Sequence, residues 1–238
     1  MILTAVTNMA MVDVVDALEY MWSHVPFLLI GARVSLELAA VGIALGLVLG
    51  LVLALLRTYS SGILRVMAEV YITVFRGTPL LLQLFVIYYG MPDLGLTISG
   101  RASIYIALGL NSAAYQAEYF RGALQAVDRG QIQAARSLGL SRWSAIRLVV
   151  IPQAARIALP AWSNEVVYMV MNSAIAFTIA VPELLARSKM LISWHYRPIE
   201  VFILVSVIYV VMLGIVSRGL DYVESWIRIP GLLLESKR

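Results

Sequence analysis

Long apolar stretches, separated by short polar segments, recur along most of the chain. An α-helix needs about 20 predominantly apolar residues to cross a bilayer, at a rise of about 1.5 Å per residue. Five stretches reach this length, and residues 38–56 in the first of them carry no charged side chain. The pattern therefore predicts five membrane-spanning helices, over residues 26–56, 72–91, 104–123, 161–181 and 199–216.

The composition agrees with a membrane protein. Of the 238 residues, 61% are hydrophobic and 13% are charged, and the mean hydropathy is +0.86. An ordinary soluble domain carries about 25% charged residues, so this chain has too few polar side chains to cover a soluble core. We therefore predict an all-α integral membrane bundle that forms a single domain.

Missing residue types narrow the chemistry. The chain has no cysteine and two histidines, His24 and His195, which excludes disulfides, thiolate metal sites and cysteine nucleophiles. The glycine-rich phosphate loop that ends in Lys-Ser/Thr is also missing, so we do not expect this chain to bind ATP itself. The sequence predicts no cofactor, no metal site and no catalytic residue.

Basic residues are distributed unevenly between the two sides of the predicted bundle. Twelve lie on one side and four on the other, and the positive-inside rule places the richer side in the cytoplasm. This predicts an external N-terminal segment over residues 1–25, a membrane domain over 26–226 and a cytoplasmic tail over 227–238. The apolar residues of the external segment recur at helical spacing, so it is either a short helix on the membrane surface or a frayed terminus.

The longest polar stretch, about residues 128–152, reads as a helix, a turn and a second helix. Asp128 is placed to cap the first helix, and Gly139 supplies the left-handed residue that ends it. Ser141 is placed to cap the second helix, which we expect to stop at Pro152 because proline lacks a backbone donor. DNA-binding proteins use similar helix pairs, but two flanking spans would keep this one out of a major groove.

This stretch resembles the EAA motif of ABC-importer permeases, which reads EAA, three residues, Gly, nine residues, then I-x-L-P. The spacing matches throughout, with Gln at the first letter and Val and Ile at the two apolar letters. The matching residues are Gln133-Ala134-Ala135, Gly139, Val149, Ile151 and Pro152.

Further short matches resemble the polar amino-acid subfamily of these permeases. The likeness covers about residues 26–226 and is greatest to permeases for histidine, arginine, lysine or opines. The matches are residues 75–79 through Gln83, Ala114-Tyr115 with Glu118 and Arg121-Gly122, Gly130-Gln131, and Ser163-Asn164-Glu165.

The resemblance implies a type I permease of the bacterial inner membrane, surrounded by lipid. Such a permease pairs with a second one, similar or identical, and two ATPase subunits dock on the cytoplasmic face. A periplasmic binding protein delivers the amino acid, and nucleic acid is not a partner. The EAA helix is the coupling helix that contacts the ATPase; here its predicted contact residues are Gln133, Ala134, Ala135, Leu138, Gly139 and Leu140.

Polar residues within the third and fourth spans share helical faces. Asn111 and Tyr115 lie four residues apart, and Glu165, Tyr168 and Asn172 follow at i, i+3 and i+7. Polar side chains in spans usually face a cavity or the bundle interior, so we predict that these five bind substrate. The alternative is that they only join helices by hydrogen bonds, with Glu165 paired to an arginine such as Arg76 or Arg156.

The charge of the substrate follows from two positions. A carboxylate at Glu165 is a natural partner for a cationic side chain. Many relatives that carry neutral or acidic amino acids have a lysine where this chain has Met171, and an ammonium group there would repel a cation. The resemblance thus implies import of a basic amino acid.

Two other classes of function stay open at this point. An ion-coupled secondary carrier would need no ATPase, and a regulatory membrane protein would use the cytoplasmic helix pair to bind DNA. On the outside, Arg187, Lys189 and Arg197 form a basic patch that we expect to meet the binding protein.

Overall fold

The computed structural model of the chain describes residues 2–227. All regular elements in this part are helical, which confirms the all-α prediction. The predicted cytoplasmic tail lies, except for its first residue, outside the described residues. The helices are α1 Ile2–Tyr59, α2 Ile63–Gly77, α3 Leu80–Phe85, α4 Gly100–Ala126, α5 Arg129–Ser137, α6 Arg142–Ala145, α7 Ile151–Asn172, α8 Leu184–His195 and α9 Pro198–Ile227.

Short tight or wide helical turns join several of these helices. π-helical turns follow α3 and α6, and 3-10 turns lie after the first π-turn and between α7 and α8. Their bounds are Val86–Gly90 and Ile146–Val150 for the π-turns and Pro92–Leu94 and Ser173–Ile179 for the 3-10 turns.

Each predicted span coincides with helix, although the spans differ in kind. Three helical segments are long and apolar enough to cross a membrane by themselves: Val15–Tyr59, Arg142–Ile179 and Pro198–Ile227. The second predicted span is two helices, Ile63–Gly77 and Leu80–Leu94, bent by 104° at a short break. The bend falls at Pro79, which interrupts the backbone hydrogen bonds there.

Helix α4 is the central and most polar member of the bundle. Its 27 residues are enough to cross the bilayer, but it is less apolar than the other spans. It packs along α1 and also contacts α2 and α7, so its polar residues face protein and not lipid. Four of them are buried: Ser103, Asn111, Ser112 and Gln116.

The predicted separate helix near the N-terminus is instead the start of α1. The helix runs without interruption through Pro26 to Tyr59, because no glycine or other helix-ending residue precedes the span. The 45 residues Val15–Tyr59 at a rise of about 1.5 Å exceed twice the roughly 30 Å hydrocarbon core. The N-terminal part of α1 therefore extends beyond one face of the membrane.

Glycines on α1 allow the close contact with α4. A Cβ atom at Gly46 would lie 2.6 Å from Gln116 Nε2, and one at Gly42 would lie 2.8 Å from Leu108 Cβ. A Cβ atom at Gly50 would likewise lie 2.9 Å from Gln116 Cβ. Every fourth residue of this face is small, so the two backbones meet where larger side chains would separate them.

The helix pair on the predicted cytoplasmic side forms as the capping residues indicate. Asp128 accepts a hydrogen bond from the Gly130 N–H, and Ser141 Oγ accepts one from the Ser144 N–H at 3.1 Å. Gly139 has φ +86°, the left-handed conformation expected of it. Pro152, however, does not end a helix: it stands near the start of α7, directly after the π-turn Ile146–Val150, and the helical segment continues through it.

Candidate substrate pocket and coupling surface

A cavity of about 510 Å³ lies where the break between α2 and α3 faces α4 and α7. All five side chains predicted to bind substrate line this cavity: Asn111, Tyr115, Glu165, Tyr168 and Asn172. The fold thus brings the two predicted polar faces together on one space. Seven further residues complete the lining: Arg76, Gly77, Thr78, Pro79, Leu80, Tyr119 and Asn164.

Glu165 is the buried acid of the cavity, with 5% of its surface exposed. Ser112 Oγ donates a hydrogen bond of 2.8 Å to Oε1, and the Tyr119 hydroxyl lies 3.4 Å from Oε2. The ion pairs found among the described residues do not include Glu165, so neither arginine of the structural alternative neutralises it there. The carboxylate is held by neutral donors within reach of the cavity.

Arg76 faces the same cavity from the last turn of α2. Its guanidinium carbon lies 5.3 Å from the centre of the Tyr115 ring, a cation–π contact that keeps the charge over the aromatic face. The sequence analysis considered Arg76 as part of a family match and as a structural partner of Glu165, not as a substrate contact. The usable signal was its position three residues before Pro79, which places it at the end of a broken helix.

The cavity is open on one side. Tyr168 is 62% exposed and the neighbouring Met171 is 52% exposed, although both belong to a membrane helix. Asn111, by contrast, is 6% exposed and spends its amide on hydrogen bonds to the Phe75 carbonyl and Gln83 Oε1. The predicted binding residues therefore differ in role: Asn111 joins α4 to the end of α2, whereas Tyr168 is exposed at the mouth of the cavity.

A chain of ion pairs lies one turn along α4 from the cavity. Arg121 bonds Glu118 at 2.7 Å. Glu118 also pairs with Arg57 of α1, and Arg57 lies 3.6 Å from Glu69 of α2. These contacts join the ends of α1, α2 and α4 that carry the polar loops.

The predicted coupling residues differ in how far they are exposed to solvent. Leu138 is 85% exposed and Gln133 and Ala134 are exposed as well, whereas Ala135 is buried at 4%. A Cβ on Gly139 would meet no heavy atom within 4 Å, so only its positive φ restricts that position. Two exposed apolar side chains that the sequence analysis did not single out, Trp143 and Leu148, extend the surface at 67% and 62% exposure.

The three residues of the predicted basic patch are each placed over an aromatic ring. Arg187 lies over Phe27 at 4.7 Å, Lys189 over Phe177 at 4.4 Å and Arg197 over Tyr20 at 5.0 Å. These contacts hold the cations at the end of the bundle where α1 meets α8 and α9.

Comparison with known proteins identifies the family. Residues 46–229 match the model of the binding-protein-dependent transport system inner membrane component. The chain belongs to this family. A curated relative, the octopine transport system permease protein OccM of Rhizobium meliloti, is 43% identical over 214 residues, covering 86% of this chain and 87% of the relative.

Further relatives and a solved structure agree. The histidine/lysine/arginine/ornithine permease HisM of Salmonella typhimurium is 39% identical over 166 residues, covering 66% of this chain and 71% of that protein. A crystal structure of an amino acid ABC transporter with histidines superimposes with a TM-score of 0.81 at 38% identity, covering 87% of this chain and 97% of the other. An inward-facing methionine ABC transporter, at 22% identity and a TM-score of 0.71, has the same fold.

The protein is therefore an inner-membrane permease subunit of an ABC importer for amino acids or opines. ATP hydrolysis belongs to a separate ATPase subunit, and the permease is not an enzyme. The ion-coupled carrier and the DNA-binding protein, which the sequence left open, are set aside by this family membership. The EAA-like segment of α5 and α6 lies within the part of the chain that matches the family.

Proposed function

We propose that this permease imports basic amino acids, or opines built from them, and that the cavity beside Glu165 holds the substrate during transport. The observation that carries the proposal is the buried Glu165 carboxylate, hydrogen-bonded by Ser112 and Tyr119 and not ion-paired among the described residues. A cationic side chain supplies the missing positive charge. The relatives named for octopine, nopaline and histidine/lysine/arginine/ornithine transport support the same chemistry.

The cavity offers one charge for each end of such a substrate. Glu165 matches a guanidinium, ammonium or imidazolium group, and Arg76 matches an α-carboxylate, since a guanidinium binds a carboxylate through two parallel hydrogen bonds. Met171, exposed beside the mouth, adds no positive charge that would repel the cationic end. Agmatine is arginine without the α-carboxylate. Comparing the uptake of the two compounds therefore tests the role of Arg76.

The direction and the partners belong to the same proposal. The N-terminus lies outside and the C-terminus inside, so substrate passes from a periplasmic binding protein, through the cavity, to the cytoplasm. A second permease, identical or similar, covers the exposed mouth beside Tyr168, and the ATPase contacts Leu138 and its neighbours. Because the chain has no cysteine, single cysteines placed at residue 60 and at residue 195 test the orientation with an impermeant thiol reagent: only the second is expected to react in intact cells.

The decisive experiment replaces Glu165 by Gln, which keeps the size and removes the charge. A charge-assisted contact in a poorly hydrated cavity contributes about 1.5–3 kcal/mol, so arginine uptake should fall by about tenfold to a hundredfold. Uptake is measured in proteoliposomes that contain the permease, its ATPase and its binding protein. Glu200→Gln, at the start of α9 and outside the cavity lining, is the matched control and should leave uptake unchanged.

The pattern across substrates separates binding from structure. The Glu165→Gln variant should take up citrulline, the neutral analogue of arginine, as fast as the unchanged protein does. Its ATPase rate without substrate should also be preserved. Poor assembly of the complex, with every substrate affected alike, would show that Glu165 serves the bundle and would reject the proposal.

A further inference from the structure

Pro79, at the break between α2 and α3, deprives the Phe75 carbonyl of its helical partner. In a continuous α-helix the N–H of residue 79 would bond the carbonyl of residue 75, but Pro79 has no N–H. Thr78, just before the proline, is extended with φ −115° and ψ 143°, as the residue before a proline prefers. The carbonyl of Phe75 therefore needs another donor within a poorly hydrated bundle, since an unpaired buried carbonyl is costly.

The side-chain amide of Gln83 supplies that donor. Its Nε2 lies 2.8 Å from the Phe75 carbonyl oxygen and 3.1 Å from the Thr78 carbonyl oxygen, and it also bonds Thr78 Oγ1 at 2.8 Å. Asn111 of α4 adds a second, longer bond to Phe75 at 3.3 Å and donates to Gln83 Oε1 at 3.1 Å. One glutamine thus bonds both carbonyls that flank the cavity wall and is itself held from α4.

The spacing of the motif explains why this position is a glutamine. The Gln83 N–H bonds the Pro79 carbonyl at 3.1 Å and closes the first turn of α3, so its side chain lies one turn beyond the proline and reaches back to the end of α2. Residues 75, 79 and 83 are four positions apart in sequence, and only 79 and 83 are joined by a helical turn. Gln83 is 8% exposed and is not among the residues that line the cavity, whereas Arg76 and Gly77, between its two acceptors, are.

We infer that Gln83 is a positioning residue for substrate recognition: its amide fixes the broken end of α2 so that Arg76 and Gly77 form a wall of the substrate pocket. This role rests on the proposed function of the cavity. Gln83 does not touch the substrate and acts only through the backbone that it holds. A purely structural role would instead stabilise the bundle without setting the geometry of the pocket.

The test uses a single introduced thiol, because the chain has no cysteine of its own. Gly77→Cys places the thiol in the cavity wall, where a Cβ meets no heavy atom within 4 Å. In the assembled transporter we measure the rate at which a water-soluble methanethiosulfonate reagent modifies Cys at position 77, with increasing arginine. Arginine should slow the reaction, and its half-protecting concentration reports occupancy of the pocket without requiring transport.

Gln83→Met, added to this background, keeps the side-chain length and removes both donors. We expect the rate without arginine to change and the half-protecting arginine concentration to rise by about tenfold, equivalent to about 1.4 kcal/mol. Gln125→Met makes the same chemical change at the exposed end of α4 and should alter neither value. The amount of assembled complex is recorded for every variant.

A double variant separates positioning from stabilisation. Pro79→Ala combined with Gln83→Met returns an N–H to the Phe75 carbonyl, which should recover assembly while the helix continues through the break and arginine protection stays poor. Recovery of protection together with assembly would overturn the positioning role. The positioning role would also be overturned if Gln83→Met changed neither the modification rate without arginine nor the half-protecting arginine concentration.

The two proposals fail in different ways. If arginine gives no protection even with Gln83 intact, the cavity is not the substrate site, and the proposed function and the role that rests on it are both rejected. If arginine protects and Gln83→Met leaves protection as it was, the positioning role alone is rejected.

Discussion

Two prolines stand at comparable places in the sequence, each near the start of an apolar stretch, yet the chain behaves differently at each. At Pro79 the helix axis turns by 104° and a cavity opens. At Pro152 the chain passes from α6 through a π-turn into α7 with the helix unbroken. The difference lies in the residues around each proline, not in the proline itself.

The residue before each proline decides the local backbone. Thr78 is extended, and the glycine before it lowers the cost of leaving the helix. Ile151 is helical, with φ −59° and ψ −45°, and the preceding π-turn, whose bonds span five residues, takes up the irregularity. A break also needs substitute donors, which Gln83 and Asn111 supply only near Pro79.

The two regions consequently suit different tasks. The break exposes backbone and Arg76 to a cavity, as expected of a binding site formed by a discontinuous membrane helix. The unbroken helical segment that begins at Arg142 connects the coupling surface to the α7 face bearing Glu165. In the function proposed above, this continuous helix passes a displacement from the ATPase to the pocket.

Exchanging the prolines for alanine tests the comparison most strongly. Pro79→Ala restores an N–H that competes with Gln83 for the Phe75 carbonyl and favours a straight α2, which removes Arg76 and Gly77 from the pocket wall. Arginine uptake should fall by at least about a hundredfold, or about 2.8 kcal/mol at 1.4 kcal/mol per tenfold. Pro152→Ala, in a first helical turn, should change stability by no more than about 0.5 kcal/mol and leave uptake nearly intact; equal losses in the two variants would contradict the comparison.

Gly139→Val tests the region on the other side of the unbroken helix. A β-branched residue is poorly tolerated at φ +86°, so the turn after α5 must change and the coupling surface with it. We expect uptake to be lost and ATP hydrolysis to become insensitive to substrate, while the permease still reaches the membrane. Gly219→Val, at an open position of α9 where a Cβ meets nothing within 4 Å and φ is not positive, is the control, and normal uptake by Gly139→Val would refute the assignment.

Neutralising the basic patch should produce a smaller effect, confined to docking. Replacing Arg187, Lys189 and Arg197 by Gln removes three cations far from both prolines and also three cation–π contacts. Lys189 is exposed, whereas Arg187 and Arg197 are half-buried. Charges near a surface mainly steer encounter, so the affinity for the binding protein should fall by only a few fold and lose much of its salt dependence. Binding of the purified partners at two ionic strengths measures both; if neither changes, the patch is a solvated surface.

Gln133→Glu should have the smallest effect. It supplies the letter that the EAA motif usually carries, at an exposed position of α5. Exposed substitutions usually change stability by no more than about 0.5 kcal/mol, so uptake should stay within about twofold of the unchanged protein. A large loss would mean that the interface at position 133 excludes a negative charge.

The sequence was most informative about the helices and least about how they break. Apolar length located the spans, and Asp128, Gly139 and Ser141 located the cytoplasmic helix pair, because caps and turns act within a few residues. The same local rules assigned Pro152 wrongly as a helix end. They could not separate it from Pro79, since the difference depends on donors that come from α3 and α4.

The candidate site shows the same division. Helical spacing put Glu165, Tyr168 and Asn172 on one face, which the cavity confirms as a shared surface. It placed Asn111 among the substrate-binding residues, although the Asn111 amide bonds Phe75 and Gln83, and it included neither Arg76 nor Tyr119 in that set. The bonds that decide these cases join residues far apart in sequence, 36 positions for Asn111 to Phe75 and 53 for Ser112 to Glu165.

The sequence by itself determined the membrane class, the helical content and the position of the EAA-like segment, because hydrophobic length, capping and motif spacing are properties of neighbouring residues. The tertiary structure alone decided that the polar helix α4 lies at the centre, that the helix continues through Pro152, and that Glu165 and Arg76 share one cavity. These outcomes depend on which distant side chain satisfies each polar group that the membrane leaves without water.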